Sequence, residues 1–153
     1  MVDQRDYATV TFRDLRVPDT ALIGVEGQAA ELLEELVDVA CAHSASELLG
    51  IVDALFDSTI DYLKVREQFG APIGSFQALQ HRASKMFTRI ELLRSVIMDA
   101  HAALDSARED RSLACSHARV MAIDVARLVA TEAIQLHGGM GVTDELDLSL
   151  IHI

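Results

Sequence analysis

The sequence predicts a mainly α protein: an antiparallel bundle of long helices, an incomplete four-helix bundle, with a short N-terminal β-strand. Three observations carry that prediction. Apolar residues recur at i, i+3, i+4 spacing through three long segments. Short stretches rich in glycine and proline, or in charge, separate those segments, and short connections make neighbouring helices antiparallel. The composition is that of a folding chain, with 50% hydrophobic residues and only 8 glycines and 2 prolines in 153 residues.

The elements follow in order. Tyr7-Ala8-Thr9-Val10-Thr11-Phe12 alternates and is rich in β-branched and aromatic types, the pattern of a strand. Arg13 to Thr20 reads as a turn region, because Pro18 biases Val17 towards extended geometry and cannot donate a ladder bond. From Gly27 the period becomes helical. A stripe runs from Leu32, Leu33, Leu36 and Val37 through Leu48, Val52 and Leu55 to Leu63, with Glu31, Asp38, Asp53 and Asp57 mostly off it. The spacing predicts a helix over about residues 27–68, stopped by Gly70, Pro72 and Gly74. Ser75 is the expected N-cap of a second helix, with a stripe that includes Phe76, Leu79, Met86, Phe87, Ile90, Leu93 and Ile97. The polar run Asp105–Asp110 ends it. A third helix starts near Asp110 or Ser112, shows Ala114, Ala118, Val125 and Leu136 on one face, and stops at Gly138-Gly139. Thr143-Asp144-Glu145 could cap a short final helix. Three helices leave one apolar side open, so a fourth helix from this chain or another is the expected cover, and association the expected behaviour.

Composition also excludes functions. Lys plus Arg number 13 and Asp plus Glu 24, for a net charge of −11. Such a chain gains no counterion-release term on DNA or RNA and is repelled by anionic membranes. No run of 18 uninterrupted apolar residues occurs, so no membrane insertion is expected, and the polar N-terminus lacks the apolar run of a signal peptide. Cys41 and Cys115 form no ligand motif and read as reduced thiols and small core residues of a cytoplasmic protein. The histidines show no metal-ligand spacing, so no metal site is expected. Glu132, beside the third apolar stripe, reads as a paired polar group at a helix interface.

Two segments have unusual residue choices. Around the first interhelical turn stand Arg66, Phe69 and Gln77. Arg66 could hold a phosphate, Phe69 could form an apolar wall, and Gln77 could read a polar edge. The plain alternative is a helix stop and start, with Phe69 in the core and Arg66 solvated. The second segment runs from Gln135 through Gly138 and Gly139 to Glu145. Paired glycines allow close backbone approach to a ligand and can present N–H groups to an anion. Here the alternative is an ordinary glycine C-cap, and with no strand before it the string is not the dinucleotide fingerprint.

Together the segments resemble the C-terminal helical domain of acyl-CoA dehydrogenases. YLKVREQFGAPIGSFQALQHR is similar to that family's R-x-x-F-G-x-x-I-x-x-F-Q turn, and AIQLHGGMGVTDEL to its Q-x-x-G-G-x-G segment. VTFRDLRVPDTALIG resembles the end of the family's β-domain and the lead into its helices. The resemblance therefore implies three parts: residues 1–24 as the end of the β-domain and linker, 25–147 as the helical bundle domain, and 148–153 as an appendage. That last hexapeptide, Leu148 to Ile153, resembles the translation of a sequencing adapter and is expected to be artificial.

Family membership would imply FAD-dependent α,β-desaturation of acyl-CoA thioesters, with this domain contacting the FAD of a neighbouring subunit and building a homo- or hetero-oligomer of such subunits. Arg66 would contact the pyrophosphate with Phe69 beside it, and Gln77 would lie near the adenosine end. Gln135, Gly138 and Gly139 would line the pyrophosphate or AMP part. No catalytic residue is assigned. In most members the base lies well after the G-G-x-G segment, past the last residue here. In a minority it lies on the first long helix, where this chain reads Val39-Ala40-Cys41-Ala42-His43. The wording is closest to subunits of heteromeric members, where one subunit type can lack the base. As an isolated fragment the chain is expected to be inactive. The alternative function is a non-catalytic helical-bundle module for assembly or interaction.

Overall fold

The computed structural model describes residues 8–142, so the expected final helix and the tail at 148–153 lie outside the described residues. Three long helices account for most of it: α1 (Ala29–Val65), α2 (Gln77–Asp105) and α3 (Arg111–His137). A two-residue hairpin, β1 (Glu67–Gln68) and β2 (Ala71–Pro72), and a single 3-10 turn (Ile73–Ser75) join α1 to α2.

Side-chain contacts set the helix directions. Asp38 near the start of α1 meets Ser112 at the start of α3 (2.6 Å), and Tyr62 near the end of α1 stacks on His137 at the end of α3. Helices α1 and α3 therefore run parallel. Helix α2 runs the other way: Arg82 in its early part pairs with Glu132 late in α3, while His101 near its end bonds Ser46 of α1 (2.8 Å). The Arg82 pairing bears out the expected role of Glu132.

Helix α3 is the centre of the bundle. Its buried residues include Ala114, Ala118, Ala122, Ala126, Ala130 and Ala133, small side chains that let α1 and α2 close on either side. The buried face of α1 is Asp38, Ala42, Ala45, Leu49, Val52, Leu55, Thr59 and Leu63, whose steps of four and three residues keep one seam against a partner helix. This corrects the predicted stripe. Leu32, Leu33, Leu36 and Val37 are exposed, and Asp38, read as solvent-facing, is 5% exposed. Asp38 is buried because it has partners: the Ser112 hydroxyl donates to it, and Arg111 lies 3.5 Å away. On α2, Met86, Ile90, Leu93 and Ile97 are buried as expected, but Phe87 is half exposed.

Three further expectations change. The described part of the predicted strand, residues 8–12, forms no strand, because no other strand lies alongside it to complete a ladder among the described residues. Ser75 does not cap α2; it lies in the 3-10 turn, its hydroxyl bonded to Pro72 O (2.7 Å), and Phe76 occupies the cap position. Helix α1 is also, by length and composition, apolar enough to match a membrane span, a property it shares with long core helices, and from Ala42 to Leu63 its seam is packed into the bundle.

The α2–α3 connection is held by charge. Arg108 donates to Asp99 (2.7 Å) and to both carboxylate oxygens of Asp110 (2.9 and 2.8 Å). The guanidinium holds the Asp110 carboxyl below the usual carboxylate range, chiefly through those hydrogen bonds. Because the folded value is the lower one, this contribution is present above the unfolded pKa of about 4 and is lost as pH falls through the folded value. Arg108→Ala is expected to return the Asp110 titration to the ordinary range, read by NMR of the carboxyl carbon. An unchanged titration would contradict the pairing.

Candidate functional site

The predicted residues gather at one end of the bundle, where α1 and α3 finish and α2 begins. Arg66 leaves α1 with extended geometry (φ −74°, ψ 119°) while its N–H still bonds Tyr62 O (2.9 Å). Gln68 pairs with Ala71, so Phe69 and Gly70 form a two-residue hairpin tip. Both have positive φ, 56° and 79°. That is the geometry of a tight hairpin turn, natural for glycine and costly for phenylalanine. Phe69 is 93% exposed, and its ring stands edge-to-face with that of Phe76, with centroids 6.1 Å apart. The alternative with Phe69 in the core is thereby excluded, although Arg66 is exposed as that alternative required.

Gly74 explains how the turn fits. A Cβ there would lie 2.8 Å from the Leu63 carbonyl oxygen, so only glycine lets the connection pass this close over α1. Gln80 donates to the Gly74 carbonyl (2.9 Å) and fixes the start of α2. Gln77, the first residue of α2, is exposed.

The second segment lies on the same end. Gly138 ends α3 with φ 60° and ψ −133°, a conformation reserved for glycine. Gln135 and Gly139 are exposed, and a Cβ on Gly138 or Gly139 would meet nothing in this chain within 4 Å. Gly141 is the opposite case: a Cβ would lie 2.5 Å from the Ile134 carbonyl oxygen. His137 joins the two segments. It is buried, its Nδ1 donates to Ala133 O (2.8 Å), and its ring stacks on Tyr62 at 4.4 Å. Arg66 follows Tyr62 by one turn and Gly138 follows His137 directly, so this stack brings both motifs to a common surface.

Sequence reasoning missed the Tyr62–His137 stack and the packing roles of Gly74 and Gly141. The glycines themselves were visible; which of them the chain's own backbone requires was not.

Chemically, this end offers an exposed guanidinium with no carboxylate partner among the described residues, an exposed aromatic ring, two exposed glutamine amides and an open glycine surface. Those are donors for an anion and a face for a planar group. No group of three potential metal ligands occurs among the described residues. None of the residues Val39–His43 is acidic, and the buried Asp38 that precedes them is taken up by Ser112 and Arg111; His43 Nδ1 donates to Val39 O (2.9 Å) and its ring sits edge-on to His101. At the opposite end a cleft of about 450 Å³ opens beside Leu33, Glu34, Val37, Asp38 and Ser112.

The family model described as the acyl-CoA dehydrogenase C-terminal domain matches residues 29–152. The chain belongs to the acyl-CoA dehydrogenase family.

Among acyl-CoA dehydrogenases it is 37% identical to the mitochondrial isobutyryl-CoA dehydrogenase of Bos taurus over 132 residues, covering 86% of this chain and 32% of that protein. The solved structure of butyryl-CoA dehydrogenase from Megasphaera elsdenii superposes with a TM-score of 0.88 at 29% identity, covering 92% of this chain and 36% of that one. The FAD complex of PigA superposes with a TM-score of 0.83 at 27% identity, over 92% of this chain and 36% of that one. The chain thus spans about a third of the length of these relatives. The observed bundle is the helical domain that the two motifs implied.

Proposed function

We propose that this chain is the C-terminal, FAD-contacting and oligomerising domain of a flavin-dependent enzyme that desaturates acyl-CoA thioesters between Cα and Cβ. The observation that carries the reading is Phe69, an almost fully exposed phenylalanine held in a left-handed conformation at a hairpin tip. Strain and exposure of this kind bring no benefit to the isolated fold and suit a ring awaiting a surface from outside the chain. The open glycines point the same way. Gly139 has no neighbour that requires a missing side chain, so the space is available to a ligand or a second subunit.

The residues fit FAD. Arg66 would pair with the pyrophosphate through its planar fork of donors, with the Phe69 ring alongside. Gln77 would donate or accept at the adenosine end. Gln135 and the backbone of Gly138 and Gly139 would line the pyrophosphate and AMP part, where a side chain on either glycine would stand in the way. When bound, FAD supplies the acceptor for the hydride that leaves Cβ. This chain contributes position and charge complementarity, and no base among its described residues is assigned to the α-proton. The exposed apolar residues Leu32, Leu33, Leu36 and Val37 support the oligomerising role, with a homo- or hetero-oligomer of acyl-CoA dehydrogenase subunits as the assembly. Alone, the chain is proposed to turn over no acyl-CoA, since two thirds of the relatives' length has no counterpart in it.

Titrating the labelled chain with FAD is expected to move the amide resonances of Arg66–Gln77 and Gln135–Gly139 saturably, with no change at Asp105–Arg111 on the opposite end. Arg66→Ala should weaken that binding about 10-fold or more, the scale of one lost charge-assisted pairing. Saturable shifts confined to the opposite end, or none at all, would favour the assembly module.

A further inference from the structure

We propose that Cys41 and Cys115 form a reversible disulfide between α1 and α3, a redox modification site separate from the dinucleotide-facing end. The register of the two helices carries the inference. They run parallel, and Asp38 of α1 accepts a hydrogen bond from Ser112 of α3 at 2.6 Å. Three residues further along each helix stand Cys41 and Cys115. One turn advanced on two parallel helices returns side chains to the same interface, so the two cysteines inherit the facing arrangement of the Asp38–Ser112 pair. Packing agrees: Cys115 is fully buried in the core, and half-buried Cys41 packs against that same core.

The two thiols have different roles. Cys41, the more accessible, meets the oxidant. Cys115 is the resolving thiol, kept protonated by burial and by the negative charge of Asp38, against a weaker opposing pull from Arg111. With a peroxide as oxidant, the Cys41 thiolate attacks one peroxide oxygen and hydroxide leaves, giving a sulfenic acid. The Cys115 sulfur then attacks the Cys41 sulfur and water leaves. In sum two thiols and one hydrogen peroxide become one disulfide and two waters, and a thiol reductant reverses the change.

The test is hydrogen peroxide treatment of the native chain without denaturant, with helicity followed by circular dichroism. The expected product is a monomer lighter by about 2 Da, the mass of two hydrogens, restored by dithiothreitol. Peptide mapping should show Cys41 joined to Cys115. The cross-linked chain should melt about 10 °C higher, because the bridge closes a long loop. In Cys115→Ala the resolving thiol is gone, and Cys41 should instead accumulate as a sulfenic acid trapped by dimedone. Two free thiols persisting after treatment, dimers linked Cys41 to Cys41, a bridge that forms only in denaturant, or a Cys115→Ala chain whose Cys41 does not react would each overturn the proposal.

Discussion

Gly141→Ala is expected to cost about 3 kcal/mol of stability, the upper end of what overpacking of a tight site costs. The added Cβ would stand 2.5 Å from the Ile134 carbonyl oxygen, 3.0 Å from Ile134 Cα and 3.1 Å from His137 Cβ. Two of those three atoms are helix backbone, which cannot rotate away as a side chain can. Relief requires either that the last turn of α3 unwinds or that the Gly138–Val142 turn lifts off. Either movement disturbs His137, whose ring stacks on Tyr62 and links the two motif-bearing segments. The melting temperature should fall by roughly 6–12 °C. Gly139→Ala is the control: its Cβ would meet nothing within 4 Å, so its melt should stay within about 0.5 kcal/mol of the parent. Thermal unfolding followed by circular dichroism compares the two. Equal melting temperatures would mean that the close approach at Gly141 relaxes freely.

Leu93→Ala should cost about 3–4 kcal/mol, the usual range for removing a core leucine side chain. Leu93 is fully buried on α2, in the core cluster it shares with Val52 of α1 and Val125 of α3. Three helices converge there, and an alanine would leave a cavity that none can fill without breaking its own packing elsewhere. Its neighbour offers a direct comparison. Leu92 is 50% exposed, and Leu92→Ala should change stability by no more than about 0.5 kcal/mol. Urea unfolding measures both. A similar loss from each would show that α2 packs on a different face.

Adjacent leucines with such different expected costs illustrate what a hydrophobic stripe can and cannot say. On α2 the stripe predicted Met86, Ile90, Leu93 and Ile97 correctly, because polar residues flank it. On α1 apolar residues spread over more than one face. Leu32, Leu36 and Ile51 look no less buried in sequence than Leu49 or Val52. Only the position of α3 selects the seam from Ala42 to Leu63. Asp38 escaped the periodic reading for a related reason. A carboxylate is assigned to solvent by default, and its burial depends on Ser112 and Arg111, which lie far along the chain.

The grouping of the candidate residues was more legible than the packing. Arg66, Phe69, Gln77, Gln135, Gly138 and Gly139 stand out as unusual residues at helix ends, where turn chemistry restricts choice. That they share one end of the bundle follows from the up-down-up order that short loops impose, which returns the end of α3 to the end of α1. Phe69 is the instructive case, because an aromatic residue beside a helix stop reads equally well as core. Its exposure became visible only when pairing of Gln68 with Ala71 placed it at the hairpin tip.

Local spacing and turn residues thus determined the three helices and their ends near Val65, Asp105 and His137. These depend on contacts within a few residues along the chain. The tertiary structure decided which apolar face is covered, that Asp38 is buried, that no strand forms at residues 8–12, and which glycines the fold cannot exchange. Each of those depends on what another helix places within a few ångströms, and that neighbour is remote in the chain.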